Sequence, residues 1–406
     1  MKEIEYGPYP LSITNGLDFY KPTMSQLAYE KTPKTEVTFT FKNRGKQRLL
    51  DYISLSDLQE KFDLIRQNGW NKDELEYLNS LNDDEGNNLF SDDYTTYLAD
   101  GELPVVKVSY DESNDDLEIH TTGDWPLVTF WETVIMSEVN ESYFENFMIK
   151  NHLDPFNIYE EGDKRLSSKI SFLQQNPDIK FADFGSRRHF SFRWQKHVIE
   201  RLLEECPENF IGTSNVGLAK KFGIKPIGTF AHEMPMIYSA VAENNHENIR
   251  LSHGKMLDDW YEKYGKKLSV ALTDTFTTDF FFEDFGEERA ILWNGLRQDS
   301  GDPIEFGKKA IRFYENHGID PTTKTIVFSD GLSIEDIEKI YNYFKGHFKM
   351  IFGWGTSLTN DMGIKPLNIV MKATSVDGTG TVKLSDVDGK HTGSLENIER
   401  YRNEFL

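Results

Sequence analysis

The sequence predicts an α/β protein, an irregular or incomplete (β/α) barrel preceded by an α+β N-terminal domain. Three observations lead there. From about residue 168 onward, short apolar runs recur at 179–184, 209–213, 225–230, 268–273, 290–296, 324–329 and 348–352, most pairs leaving room for a helix between them. The carboxyl ends of these runs carry Gly, Thr, Ser, Asp and Arg, the residue types with which barrel enzymes furnish a ligand-binding rim. Before residue 125 the pattern is different, with helical stretches, one alternating run and a hairpin. A doubly wound open sheet is the alternative, but no G-x-G-x-x-G or Walker pattern speaks for it. The expected division is 1–125, 126–370 and a C-terminal segment 371–406.

Taken in order, Thr14 or Asn15 can cap a helix near Asp18–Glu30, and the alternating Glu36–Phe41 reads as a strand. Lys42, Arg44, Lys46 and Arg48 then form a basic patch, either a protected strand edge or an anion site. Ser56-x-x-Gln59 and Asn71-x-x-Glu74 are candidate helix starts, and 82–88 is an acidic loop. Pro104–Tyr110 and Asp116–His120 flank Ser113-Asn114 as a hairpin, and Pro126–Lys150 reads as one long apolar helix bracing two layers. In the rhythmic part, helices fit at Ser191–Glu205, Val216–Lys221 with Gly223 closing it, Met234–Glu243, Ile304–Asn316 and Ile334–Phe344 with Ser333 as cap. The tail holds a strand-like Gly380–Leu384 and a terminal polar helix.

Composition bounds the function. A chain of 406 residues exceeds one ordinary core, and 38 % hydrophobic content with 29 Phe is ample to fill two. A formal charge of −22 argues against nucleic acid or an anionic membrane as partner, though a local pocket can still take a small anion. Cys206 is the only cysteine, so no intramolecular disulfide can form and a reducing compartment is expected. Met1–Pro10 lacks the basic start and apolar core of a signal peptide, and no window is apolar enough to span a bilayer. The expected location is the cytoplasm.

Chemistry concentrates at the predicted strand ends. Gly212-Thr213-Ser214-Asn215 and Gly228-Thr229-Phe230-Ala231-His232-Glu233 repeat one design, a run closing on Gly-Thr, where small hydroxyl residues can floor a ligand site. His232 alone could equally be a satisfied buried histidine. Arg297-Gln298-Asp299-Ser300-Gly301-Asp302-Pro303 places an Arg and two carboxylates before a helix: Asp302 can cap it, Asp299 can pair with Arg297, and Asp299 suits the vicinal hydroxyls of a ribose. Ser329-Asp330-Gly331 repeats the carboxylate-plus-glycine theme. Gly353-Trp354-Gly355-Thr356-Ser357 offers amides and hydroxyls to a phosphate. Phe184-Gly185-Ser186-Arg187-Arg188 sets an aromatic face beside a guanidinium, which suits a flat ring carrying a negative group, or simply a core Phe beside exposed arginines. Histidine pairs and cysteines of metal-site spacing are lacking.

These motifs, together with Thr14–Met24 and Lys383-Leu384-Ser385-Asp386, run collinearly over nearly the whole chain and closely resemble the nicotinate phosphoribosyltransferase family of type II phosphoribosyltransferases. The resemblance implies transfer of phosphoribose from phosphoribosyl pyrophosphate to nicotinate, with Mg²⁺ and with ATP as co-substrate. It implies a pyridine stacked between Phe184 and Tyr20, with Tyr20 and Asp18 arriving from a partner subunit, and hence a homodimer. Arg187 and Ser214 would face the nicotinate carboxylate. Arg44 would contact substrate phosphates, Gly355 and Thr356 the phosphate, Asp299 and Asp330 the ribosyl end, and Lys372 a pyrophosphate or nucleotide phosphate, with Arg297, Gly331 and Gly353 also binding substrate. His232 would be phosphorylated transiently by ATP, with Glu233 beside it and Asp274 orienting the ring through its other nitrogen. The same resemblance suggests that the tail folds back on the first domain. A nicotinamide-specific transferase, a barrel glycoside hydrolase and a non-catalytic pyridine-nucleotide sensor are the rival readings.

Overall fold

Two periodicities sort the chain into two sheets in the computed structural model, which describes residues 9–83, 85–387 and 390–406. Most of the N-terminal stretch tested for a signal peptide, and Asp84 of the acidic loop, lie outside the described residues. Three strands come first, β1 (Glu36–Asn43), β2 (Val106–Asp111) and β3 (Asp116–Asp124). Six follow: β4 (Phe181–Asp183), β5 (Phe210–Thr213), β6 (Val270–Leu272), β7 (Gly295–Gln298), β8 (Thr325–Phe328) and β9 (Lys349–Trp354). Two close the set, β10 (Ile369–Val376) and β11 (Thr379–Gly380).

The six middle strands are parallel, ordered β5-β4-β9-β8-β7-β6, with helices in their connections. The other five form an antiparallel sheet ordered β11-β10-β1-β3-β2. β1 alternates buried Val37, Phe39 and Phe41 with less buried neighbours, so one face meets the core. β10 lies antiparallel to β1, with Met371 opposite Phe41 and Lys372 opposite Thr40. The tail therefore returns to the first layer, and residue 371 falls inside a strand. The apolar helix expected at 126–150 is two, Trp125–Val128 and Trp131–Lys150; the longer one touches both the helix Leu55–Asn68 and the turn Ser186–Arg188 after β4.

Several local expectations shift for identifiable reasons. The run 225–230 makes a single bridge, Pro226 to Thr213, because Pro has no N–H for a ladder. The run at 290–296 continues the helix Thr278–Leu292, whose Glu, Arg, Ala and Leu are strong helix formers, and β7 begins only at Gly295. A Cβ at Gly295 would lie 1.9 Å from the Thr325 carbonyl oxygen, so only glycine lets β7 and β8 approach so closely. Ser54, not Ser56, caps the helix Leu55–Asn68, whereas the capping box at Asn71 and Glu74 is present. The strand-like 380–384 reduces to β11 and an isolated bridge from Lys383 to Thr392. Helices Pro155–Gln175 and Ile249–Tyr264 were not expected from the rhythm of strands.

Candidate active site

The carboxyl ends of the parallel strands open on a cavity of about 1140 Å³, roofed on the other side by β10 and the end of β1. From β4 come Phe184 and Arg187, from β7 Arg297 and Asp299, from β8 Asp330 and Gly331, and from β9 Gly353, Gly355 and Thr356. The roof supplies Arg44 and Lys372, and the first helix Tyr20. His232 and Glu233 line the same space at the start of the helix Glu233–Asn244. Fourteen expected side chains or glycines thus share one cavity. Asp18, Ser214 and Asp274 stand just behind its wall, buried.

Tyr20 lines this cavity and Asp18 stands behind its wall, both in the same chain as Phe184 and Arg187, where the expectation had a partner supply them. The Arg187 guanidinium lies over the Tyr20 ring, 5.4 Å from its centroid, and its Nε is 3.1 Å from Asp18 Oδ2. Arg297 sits 5.7 Å from the centre of the Phe184 ring. Gly353 makes room for that ring, since a Cβ there would fall 2.4 Å from it. The Gly353 position therefore serves an aromatic face rather than a phosphate. Ser214 also differs from expectation. Its hydroxyl donates to Asp18 Oδ1 at 2.6 Å, so its proton is committed and the residue acts on Arg187 through Asp18.

Around His232 the charges are tightly packed. Nε2 lies 3.1 Å from Asp299 Oδ2, 3.5 Å from Asp274 Oδ1 and 2.9 Å from Lys383 Nζ. Nδ1 faces Thr275 Oγ1 at 3.0 Å. Asp274 thus stands at the same nitrogen as Asp299, and Thr275 faces the other one. Asp274 is held instead by Lys383 at 3.0 Å and the Ser300 hydroxyl at 2.6 Å. Burial and the Lys383 ammonium push His232 below its ordinary value, so the imidazole is neutral near neutral pH. Burial works against the charge on Asp299, but Arg297, 2.8 Å away, and His232 hold its carboxyl well below the carboxylate range.

Lys383, of the Lys383-Leu384-Ser385-Asp386 motif, also belongs to this cluster. Two clamps place it: Leu384 N–H donates to the Thr275 carbonyl at 2.8 Å, and Asp386 accepts from Thr278 N–H, capping the helix Thr278–Leu292. Asp302 caps its own helix as expected, accepting from Ile304 and Glu305 amides. Glu132 and Lys390, which no sequence motif singles out, also lie on the cavity wall. Asp330 is answered by Lys390 at 3.0 Å. No spacing in the sequence joins these residues, which come from separate elements.

The two sides of the cavity carry opposite charge logic. Burial pushes Arg188 down to about 10, helped by Arg187. Lys372 falls to about 7, through burial and then the neighbouring Lys383 and Arg44. Its ammonium donates to Thr392 Oγ1 at 2.8 Å, a neutral partner. Desolvated cations with no carboxylate in ion-pair contact among the described residues are poised for an anion.

A family model described as the nicotinate phosphoribosyltransferase (NAPRTase) family matches residues 179–406, and the model of that family's N-terminal domain matches residues 17–140. The fold is similar to a nicotinate phosphoribosyltransferase from Porphyromonas gingivalis, at 31 % identity over 98 % of this chain and 100 % of that one, with a TM-score of 0.86. It is also similar to the enzyme of the same description from Vibrio cholerae, at 28 % identity, covering 98 % and 96 % of the two chains with a TM-score of 0.85.

Proposed function

Because the chain belongs to the nicotinate phosphoribosyltransferase family, we propose that this cavity joins nicotinate to 5-phosphoribosyl 1-pyrophosphate, giving nicotinate mononucleotide and pyrophosphate. The observation that carries the assignment is the cavity's two ends: aromatic faces with a guanidinium at one, desolvated cations at the other. The pyridine lies between Tyr20 and Phe184 with its carboxylate toward Arg187. Asp299 and Asp330 accept from the ribose hydroxyls, and the amides of Gly355 and Thr356 face the phosphate. Arg44 and Lys372 take the pyrophosphate. The ring nitrogen forms its bond to the anomeric carbon while the bond from that carbon to the pyrophosphate oxygen breaks, through an oxocarbenium-like state. Cations at the departing oxygens stabilise the charge that develops there.

Mg²⁺ belongs to this reading, entering on the substrate phosphates. His232, Asp274 and Asp299 have ligand spacing, but the Lys383 ammonium already sits against them, so they are not assigned to the ion. When bound, the ion supplies charge neutralisation at the leaving pyrophosphate.

ATP enters as co-substrate. The neutral His232 ring attacks the γ-phosphorus: an N–P bond forms, the bond to the ADP oxygen breaks, and hydrolysis of the phosphohistidine later regenerates the ring. Glu233 is not free for catalysis on this reading, because Trp125, Thr129 and Lys21 occupy its oxygens. A homodimer belongs to this reading as the resemblance implies it, with Tyr20 and Asp18 beside Arg187 of their own chain. Cys206 is a buried free thiol, in keeping with a reducing cytoplasm, and no helix among the described residues is long and apolar enough to cross a membrane. Incubation with phosphoribosyl pyrophosphate and Mg²⁺ beside nicotinate, nicotinamide or quinolinate, with mass detection, tests the reading. Nicotinate mononucleotide is expected. Sugar release from oligosaccharides, or binding of substrates without product, would overturn it in favour of the hydrolase or the sensor.

A further inference from the structure

A lysine with no exposed surface ties together two carboxylates of the cavity wall. Lys21 Nζ lies 2.5 Å from Glu132 Oε2, contacts Glu233 Oε2, and meets Thr129 Oγ1 at 3.2 Å. Glu233 uses its other oxygen to accept from Trp125 Nε1 at 2.6 Å and Thr129 Oγ1 at 2.7 Å. Glu132 turns its other oxygen toward Arg187 Nη1, 3.7 Å away. Glu132, Glu233 and Arg187 all line the cavity, and Lys21 does not.

The pyridine end thus gathers three carboxylates, Asp18, Glu132 and Glu233, around the Arg187 guanidinium. Asp18 and Glu132 both draw on Arg187. Burial would push Glu132 up, but Lys21 and Arg187 outweigh it and hold it below its ordinary value, so it is a charged wall residue. Left to Arg187 alone, these acids would oppose a second, incoming carboxylate. They would scarcely affect a neutral amide, because charge–charge terms dominate at this range.

We propose that Lys21 is a positioning residue for base selection: its buried ammonium neutralises Glu132 and Glu233 and so leaves Arg187 free for the carboxylate of nicotinate. The inference rests on the nicotinate reading of the cavity and adds the residue that sets its preference over nicotinamide. A merely structural Lys21, pinning the first helix to its neighbours, would weaken both bases alike.

Calorimetric binding of nicotinate and nicotinamide, with kcat measured for nicotinate, separates the two. Lys21→Met is expected to weaken nicotinate about ten- to a hundredfold and nicotinamide by less than about threefold. Removing one acid with the ammonium, in Lys21→Met/Glu132→Gln, is expected to restore most of the nicotinate affinity. Equal loss for both bases, or no rescue, would overturn the proposal. Should Lys21→Met fail to fold, Glu132→Gln decides, since Lys21 keeps Glu233 there. Its preference for nicotinate should rise about threefold, and an unchanged or reduced preference would overturn the proposal. Absence of nicotinate turnover by the unaltered protein would sink the parent reading and this inference with it.

Discussion

The rim of the parallel sheet and the roof formed by β1 and β10 face each other across one cavity and solve their electrostatics in opposite ways. On the rim each carboxylate has a cation of its own: Asp299 has Arg297, Asp274 has Lys383, and Asp330 has Lys390. On the roof, Lys372 has a neutral hydroxyl, and burial lowers Arg44 from its ordinary value. A paired rim holds its geometry before substrate arrives, which suits positioning and nucleophilic chemistry. An unpaired roof holds affinity in reserve for phosphates. Removing a rim group should therefore change chemistry, and removing a roof group should change binding.

The largest expected effect is on the rim. His232→Ala should fold, lose ATP hydrolysis and the acid-labile phosphoenzyme completely, and keep slow ATP-independent synthesis of the mononucleotide. Radiolabelled γ-phosphate with peptide mapping locates the modification. Label on another residue, or ATP stimulation surviving in the variant, would break the assignment.

On the roof, Lys372→Met should raise the KM for phosphoribosyl pyrophosphate by about ten- to thirtyfold with kcat nearly kept. The pH dependence carries a sign. In the free protein Lys372 has fallen to about 7, so above that pH it is neutral, and a bound pyrophosphate would restore its charge. Binding should then take up a proton, and affinity should fall by up to about tenfold per pH unit above neutrality. Calorimetry in buffers of different ionisation enthalpy measures the uptake. Uptake unchanged in Lys372→Met would show that another group titrates.

How much of this was legible depended on whether a residue's partner lies near it in sequence. Asp302 and Asn71 cap their helices through neighbours two or three residues away, and such patterns are written locally. The strand ends carrying Asp299, Asp330 and Gly355 follow from the alternation of apolar runs and helices, which places one end of every strand at the same rim. What failed was long-range. Lys21 meets Glu132 and Glu233, and Lys383 meets His232, across more than a hundred residues, and no periodicity encodes which buried lysine reaches which acid. Pro226 spoiled a predicted strand for a local reason that its missing N–H could have announced.

Smaller than the roof effect is that of Ser214→Asp. The hydroxyl now donates to Asp18, which in turn faces Arg187. A carboxylate at 214 would confront Asp18 directly and draw Arg187 away from the substrate. Nicotinate should lose about tenfold in selectivity against nicotinamide, measured as the ratio of kcat/KM values. An unchanged ratio in the folded variant would sink the role given to this residue.

The smallest effect belongs to Thr275, and it tests how the rim prepares His232. Two groups compete for Nε2: the Lys383 ammonium can only donate to it, and the Asp299 carboxylate can only accept from it. Which wins decides whether the ring's proton rests on Nδ1 or on Nε2. A hydroxyl at 3.0 Å from Nδ1 serves both cases, because it accepts from an N–H and donates to a lone pair. Valine keeps the shape of threonine and removes both abilities. The cost is about 1 kcal/mol for a lost hydrogen bond, or roughly a fivefold slower phosphorylation of His232, with phosphoribosyl transfer in the absence of ATP unchanged. If Asp274 were the orienting group instead, Thr275→Val would leave the phosphorylation rate as it is, and rapid-quench measurement of phosphoenzyme formation distinguishes the two.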